Sequence, residues 1–249
     1  MTSLSSLLQS RLCRVGSLEI DCPLTLCYNR IMKLYTVGDS FTYGEELEDR
    51  NSAWPHVLGN MLGYDVVNEG KRGCGNHWCV KRTIHAVLEY APDLVVVGWT
   101  SCGRQEFNDQ HGAFTIWPGC SEHAYRLNPE QAIDVDRATL SNWLTRYSEP
   151  VYEFRNWIRQ IILLQSFLKQ HNVEYRFVNT FDNFNLMHQL DHKANALIGM
   201  IDTTMFVGWP DEQMVEWAYG TPQGPNGHPL ELGHQRIAEA IYANINTGR

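Results

Sequence analysis

Two residue types that can cooperate in acyl chemistry stand near opposite ends of the sequence. Ser40 lies in residues 34–44, LYTVGDSFTYG, and His228 lies in residues 227–234, GHPLELGH. A serine hydroxyl becomes an effective nucleophile when a base takes its proton, and histidine can do this near neutral pH. The alternative for Ser40 is a purely structural role as a helix N-cap, a position that serine and aspartate both favour.

The residues around Ser40 predict where its hydroxyl lies in the fold. The run before Gly38, Leu-Tyr-Thr-Val, is typical of a buried strand, and the glycine allows the backbone to bend after it. Ser40 is therefore expected at the carboxyl end of a strand, where open α/β sheets place their sites. The segment is not the nucleophile elbow of α/β-hydrolases, because Thr42 stands where Gly-x-Ser-x-Gly requires a second glycine.

Together the two segments resemble the first and last sequence blocks of the SGNH (GDSL) hydrolase superfamily. In that family an early Gly-Asp-Ser carries the nucleophile, and a late His-Pro, followed by Gly-His and the last helix, carries the base. The resemblance covers most of residues 32–246. It implies a three-layer α/β sandwich with a mostly parallel sheet, the flavodoxin-like SGNH hydrolase fold. It also implies that Ser40 is the nucleophile and His228 the base.

The resemblance extends to the groups that would stabilise an oxyanion. The glycine-rich loop 69–76 opens onto a predicted helix, and Asn68 with Gly73 matches the family's second block, which implies that the Gly73 N–H faces the oxyanion. The alternative is a tight turn that needs glycine only for its φ angles. The family's third block has an asparagine where this chain has Thr100, whose hydroxyl is a candidate replacement donor. Loss of one oxyanion donor can cost on the order of 10²–10³ in rate.

The carboxylate that would orient the histidine is missing from its expected place. In the family an aspartate stands two or three residues before the histidine, but this chain has Pro225 and Asn226 there. One possibility is a Ser40–His228 dyad in which Asn226 or a backbone carbonyl orients the imidazole. The other is an acid from elsewhere in the sequence, since a carboxylate normally holds the tautomer. Three candidates for that acid are Asp211, Glu216 and Glu231.

Strands alternate with helices along the chain, which favours a parallel sheet with helices on both faces. Residues 103–147 form a polar insertion that is either a substrate-selecting region or a packed cap over the sheet. Within it, Asn108–Asp109 and the pair Arg104 and Glu106 are candidate cleft residues, although a surface loop is the favoured interpretation of each. The predicted strands cover residues 34–37, 64–68, 94–98 and 175–179. The predicted helices cover residues 53–62, 77–90, 151–170 and 235–244. In addition, a short helix is predicted at 191–200 and a strand or loop at 205–209.

Composition limits the partners and the setting. The net charge of −8 argues against nucleic acid as the main partner, and no run approaches the ~18 apolar residues that a membrane span requires. The seven cysteines are odd in number and show no regular spacing, which favours a reduced, cytoplasmic protein. Residues 1–31 are expected to be a loose N-terminal extension, and residues 32–249 a single SGNH hydrolase-like domain.

The sequence thus predicts a serine esterase that acts on small acyl esters, with carbohydrate-linked acetyl groups as one option. The resemblance implies no metal and no organic cofactor. The departures at Thr100 and Asn226 leave a second interpretation open, a non-catalytic SGNH-like binding or structural protein. A third, a flavodoxin-like phosphate binder that uses the loop 70–75, explains neither Gly-Asp-Ser nor Gly-His-Pro.

Overall fold

A computed structural model describes residues 30–109, 112–118, 125–126, 137–184 and 192–247. The strands are β1 (Lys33–Val37), β2 (Asp65–Asn68), β3 (Leu94–Trp99), β4 (Gln105–Asp109), β5 (Gly112–Ile116), β6 (Tyr125–Arg126), β7 (Glu174–Asn179) and β8 (Phe206–Val207). The helices are α1 (Ser40–Tyr43), α2 (Trp54–Leu62), α3 (Asn76–Tyr90), α4 (Arg137–Tyr147), α5 (Pro150–Gln170), α6 (His192–Ile198), α7 (Met214–Trp217) and α8 (Glu231–Thr247). The expected N-terminal extension lies almost wholly outside the described residues, so the domain division stays a prediction.

Five strands form one parallel sheet in the order β2-β1-β3-β7-β8. Every neighbouring pair in it is parallel, and Val37 of β1 lies beside Val97 of β3. Parallel neighbours require crossovers through helices, and the chain supplies them. The predicted three-layer α/β class is therefore confirmed.

Two hydrophobic cores, one on each face of the sheet, hold the helices. Alternate residues of a strand point to opposite faces, so Tyr35 and Val37 of β1 enter one core while Leu34 enters the other. The first core packs against α3 and α5 through Trp157 and its neighbours. The second packs against α2 and α8, where Trp54 is fully buried. This packing fixes the carboxyl edge of the sheet, where the candidate site lies.

The insertion between β3 and α5 contains a small antiparallel sheet in the order β4-β5-β6, followed by α4. Ile116 and Leu144 are the buried members of its own hydrophobic cluster, with Phe107, Trp117 and Leu140 packed around them. Its first strand leaves β3 directly beside the candidate site, because Thr100 and Arg104 lie on the connection between the two.

Candidate active site

Ser40 is the first residue of α1 and lies at the carboxyl end of β1, as the sequence predicts. Gly38 is required in the turn between them, because a Cβ there would come within 2.2 Å of Thr42 Oγ1. Asp39 is the N-cap, and its Oδ1 accepts a hydrogen bond from the Phe41 N–H at 3.1 Å. The Ser40 side chain is 8% exposed. The backbone N–H of Ser40 has no acceptor within the helix, because Ser40 is the first helical residue. The turn therefore presents both the Ser40 hydroxyl and the Ser40 N–H.

The base candidate His228 is held by Glu46. Its Nδ1 lies 3.0 Å from Glu46 Oε2, and its backbone N–H donates to the same oxygen at 3.2 Å. The Glu46 side chain is only 8% exposed. A carboxylate at Nδ1 fixes the tautomer that carries the proton there, which leaves Nε2 free to act as the base. Glu46 therefore supplies a carboxylate contact to the imidazole, although neither position 225 nor position 226 is acidic.

The loop before His228 wraps around the Glu46 carboxylate. Asn226 donates from its backbone N–H at 2.9 Å and from Nδ2 at 2.9 Å, both to Glu46 Oε1. Burial alone would raise the pKa of this carboxyl, but the hydrogen bonds from Asn226 and His228 outweigh it and lower the pKa below its ordinary value. The orienting role predicted for Asn226 is therefore indirect, because in this arrangement it positions Glu46 rather than the imidazole.

The local backbone explains how Glu46 reaches the loop. Gly44 ends α1 in the left-handed region, and Glu46 itself has φ +67°, which is uncommon for a residue with a side chain. From the other side, Gly224 packs so closely that a Cβ there would come within 2.7 Å of the Glu46 carboxylate. Nothing in a single sequence marks this contact, since the two segments are 180 residues apart.

The three acids that the sequence suggested have other places. Glu216 accepts a hydrogen bond from the Gln213 N–H and completes a capping box at α7. Glu231 is the first residue of α8, and the Asp211 backbone carbonyl accepts from the Gln213 side chain. Among the described residues, the carboxylate that contacts the His228 ring is Glu46.

His228 lies beside α1. Its ring is 6.0 Å from the ring of Phe41, the residue that follows Ser40. In the described part of the chain, no hydrogen bond joins Ser40 Oγ to the imidazole. Catalytic hydrogen bonds are often long in unliganded enzymes and tighten when substrate binds, so the lack of this bond does not exclude His228 as a base candidate.

The glycine-rich loop packs on the turn that contains Ser40. Asn68 Nδ2 donates to Thr42 O at 2.8 Å, and the Lys71 N–H donates to Gly38 O at 2.8 Å. Gly73 is buried with φ +62°, a conformation that favours glycine. No described residue accepts a hydrogen bond from its N–H, which therefore remains a donor candidate for the oxyanion.

Thr100 differs from its predicted role. Its hydroxyl donates to Asp39 Oδ2 at 2.6 Å, and both residues are fully buried. A hydroxyl carries a single proton, so in this arrangement Thr100 has none to offer an oxyanion. Its backbone is clamped by Asn76, whose Oδ1 accepts from the Thr100 N–H at 3.0 Å, and by Asn183, whose Nδ2 donates to the Thr100 carbonyl at 3.0 Å. Thr100 fixes Asp39 and so stabilises the turn that contains Ser40.

The predicted cleft pair lines a polar cavity of about 240 Å³. Arg104 Nη1 donates to Asp39 Oδ2 at 3.2 Å and to Cys74 O at 3.1 Å. Glu106 accepts from the Trp78 N–H at the start of α3, and burial raises the pKa of its carboxyl. Asn108 lines the same cavity, whereas the side chain of Asp109 lies outside the described residues. Arg104 thus connects this cavity to the residue before the nucleophile.

The described residues contain no group of three or more His, Cys, Asp or Glu side chains arranged to hold a metal ion. No helix among them combines the length and the apolar character needed to cross a membrane.

The sequence matches, over residues 41–247, the model of a family described as a family of unknown function, DUF6071. No curated protein matches it.

Three solved structures share the fold at low sequence identity. TesA is 16% identical with a TM-score of 0.53, over 88% of this chain and 100% of TesA. A protein from Desulfitobacterium hafniense DCB-2, assigned to the G-D-S-L lipolytic family, is 12% identical with a TM-score of 0.51, over 86% and 99%. The esterase EstA from Pseudoalteromonas sp. is 12% identical with a TM-score of 0.50, over 86% and 97%. These likenesses show the SGNH hydrolase fold.

Proposed function

The chain belongs to the DUF6071 family, whose function is unknown, and we propose that this member is a serine ester hydrolase with a Ser40–His228–Glu46 triad. The observation that carries the proposal is the largely buried Glu46 carboxylate on Nδ1 of His228, whose ring lies beside Phe41, the residue after Ser40. It removes one of the two departures that favoured a binding protein without activity. A histidine oriented in this way has its other nitrogen free for a proton.

The reaction follows from these positions. His228 Nε2 takes the Ser40 proton while Oγ bonds to the ester carbonyl carbon and the carbonyl electron pair moves to oxygen. When the tetrahedral intermediate collapses, the bond to the alkoxy oxygen breaks, and His228 returns the proton to the departing alcohol. Water then attacks the acyl-serine by the same route, which releases the acid and restores Ser40. The ionised Glu46 stabilises the imidazolium formed in each half.

The oxyanion would be bound by the N–H groups of Ser40 and Gly73. The Asn68 bridge to Thr42 and the Lys71 bond to Gly38 hold the glycine-rich loop against the nucleophile turn. Fixed donors aimed at developing charge require little reorganisation during the reaction, which is why they contribute strongly to rate.

Small acyl esters are the proposed substrates, with carbohydrate-linked acetyl groups as one option. Ser40 is nearly buried, which favours a small acyl group at the nucleophile. The cavity that Arg104 lines is bordered largely by polar side chains, including Asn76, Asn108 and Gln160, and suits a polar alcohol.

The test is hydrolysis of a short-chain chromogenic acetate ester by wild type, Ser40→Ala and His228→Ala. We expect turnover by wild type and its loss in both variants. Ser166→Ala, on the exposed side of α5, and His85→Gln, exposed on α3, are the matched controls and should retain activity. EstA, which shares the fold, is described as inhibited by monoethylphosphonate, so a fluorophosphonate is a suitable second probe. A wild type that neither turns over ester nor becomes labelled at Ser40 would favour the non-catalytic binding protein.

A further inference from the structure

Thr100 stands where the family has an asparagine donor. Its hydroxyl is not available as a replacement donor, because it donates to Asp39. Arg104 lies a few residues further along the same connection, and its Nη1 donates to the same Asp39 oxygen as the Thr100 hydroxyl. We propose that the Arg104 guanidinium supplies the third oxyanion donor. The assignment rests on the proposed hydrolase function and adds to it a catalytic residue that the sequence pattern does not reveal.

The contacts of Arg104 place it between the two walls of the proposed oxyanion site. Nη1 donates to Asp39 Oδ2 at 3.2 Å and to Cys74 O at 3.1 Å. Asp39 directly precedes Ser40, and Cys74 directly follows Gly73. The guanidinium is therefore hydrogen-bonded to the residues that adjoin the two proposed backbone donors, Ser40 and Gly73. A substrate carbonyl oxygen bound between those donors would come near it.

Arg104 has donors to spare. A guanidinium carries five N–H groups, and its two described hydrogen bonds both arise from Nη1. Within the described ranges, no acceptor meets Nε or Nη2. The Arg104 side chain also lines the polar cavity of about 240 Å³.

The guanidinium is held in place before any substrate arrives. Its central carbon lies 5.3 Å from the ring centroid of Trp117 and 5.5 Å from that of Phe181. Its side chain is only 13% exposed. Aromatic faces fix the plane of an arginine, and low exposure strengthens its field at short range. A preorganised cation of this kind stabilises charge that appears only in the transition state.

A purely structural role has to be separated from this one, because Arg104 also neutralises the buried Asp39. Arg104→Lys is suited to that purpose. Lysine retains a positive charge for Asp39, but it lacks the planar fork that would reach Asp39 and the oxyanion together. A structural role predicts that lysine restores activity, whereas a donor role predicts that it does not.

The experiment compares kcat and KM of wild type, Arg104→Lys and Arg104→Ala on the acetate ester, with thermal unfolding measured in parallel. We expect kcat to fall about 10²–10³-fold in Arg104→Ala with KM changed only a few-fold. We also expect roughly a tenfold or greater loss in Arg104→Lys without a matching loss of thermal stability. Methylguanidine added at millimolar concentration should restore part of the kcat of Arg104→Ala and leave Ser40→Ala inactive.

The outcomes distinguish the donor role of Arg104 from the hydrolase function on which it rests. An active wild type whose Arg104→Lys variant retains kcat within about threefold overturns the donor role and leaves the hydrolase function intact. If Arg104→Ala does not fold, the kcat of Arg104→Lys alone decides between the donor role and the structural role. A wild type with neither turnover nor Ser40 labelling overturns the hydrolase function, and the donor role with it.

Discussion

The Glu46 carboxylate lies 3.0 Å from Nδ1 of His228, although the two residues are separated by 182 positions in the sequence. In the family that the sequence resembles, the acid comes from the segment just before the histidine. Here it comes from the loop after α1, so the proposed nucleophile and acid share one short segment, and the base alone arrives from the far end of the chain. The five described hydrogen bonds between Glu46 and the 226–228 loop join the two parts.

Replacement of Glu46 by glutamine should abolish most of the activity. The amide keeps the size and some hydrogen bonds of the carboxylate, but it cannot stabilise the imidazolium by charge and does not enforce the tautomer. We expect kcat to fall by about 10²–10⁴ with little change in KM. Steady-state kinetics on the acetate ester measure this directly.

Glu48→Gln provides the control, since Glu48 is exposed on the same loop. That variant should match wild type within about twofold. If Glu46→Gln were as active as Glu48→Gln, the carboxylate would be a structural anchor for the loop and the triad would be wrong.

The Gly224 position should be sensitive to a single methyl group. A Cβ there would come within 2.7 Å of Glu46 Cδ and Oε2, so the carboxylate or the loop has to move in Gly224→Ala. Misplacement of an orienting group by about 1 Å can cost on the order of 10²-fold in rate. We expect kcat to fall about 10- to 100-fold, as measured on the same ester.

Gly199→Ala is the matched control for this prediction. The nearest neighbour of its added Cβ, Ala196 O, lies at an ordinary contact distance of 3.5 Å. Its kinetics should therefore be those of wild type. Unchanged kcat in Gly224→Ala would show that the Glu46 position tolerates displacement.

The parts of the fold that the sequence predicted well are those with local signals. The predicted strands at 94–98 and 175–179 lie within Leu94–Trp99 and Glu174–Asn179, because buried parallel strands are nearly continuous apolar runs. The helix predicted at 151–170 is Pro150–Gln170, since its apolar spacing is clearly helical. Ser40 lies at the end of β1 for the same reason, as the strand and the glycine after it are both visible in the sequence.

The parts that escaped prediction depend on contacts between distant segments. Glu46 follows Gly44 in a polar turn, and its partners become neighbours only after β1 and the loop before α8 are brought together. Thr100 was predicted as an oxyanion donor because it stands in the position of the family's asparagine. Its hydroxyl is instead used by Asp39, a pairing across 61 residues that no local pattern indicates.

The role found for Thr100 predicts a loss of stability rather than of catalysis. Thr100→Val has nearly the same shape but removes the donor to the buried Asp39 carboxylate. Hydrogen bonds to charged groups contribute about 1.5–3 kcal/mol, so we expect the free energy of unfolding in urea to fall by that amount. The value of kcat should stay within about tenfold of wild type.

Thr83→Val is a suitable comparison, because Thr83 is equally buried and donates to a neutral carbonyl, Cys79 O, at 2.8 Å. Its loss should be about 0.5–1.5 kcal/mol. Equal losses of stability in the two variants, together with a collapse of kcat in Thr100→Val, would instead restore Thr100 as the oxyanion donor.

Titration of His234 is expected to change the stability of the fold rather than catalysis. It is fully buried in α8, and its Nδ1 accepts a hydrogen bond from the Trp54 N–H at 3.2 Å. Protonation of Nδ1 would bring a hydrogen on that nitrogen against the hydrogen of the Trp54 N–H. Burial, assisted by the nearby His228, lowers the pKa of His234 to about 4, against 6.5 for an ordinary histidine. Between these values the unfolded chain binds the extra proton, so folding stability falls as the pH falls from about 6.5 towards about 4.

His234→Gln should therefore flatten the pH dependence of stability in this window. Glutamine can still accept from Trp54, but it does not titrate, so the variant loses the proton linkage even if it is less stable at every pH. We expect wild type to lose about 2 kcal/mol more than the variant between pH 7 and pH 5, as measured by urea unfolding. His85→Gln, at an exposed position on α3, should retain the wild-type slope. Parallel curves for wild type and His234→Gln would show that His234 titrates alike in the folded and unfolded chain.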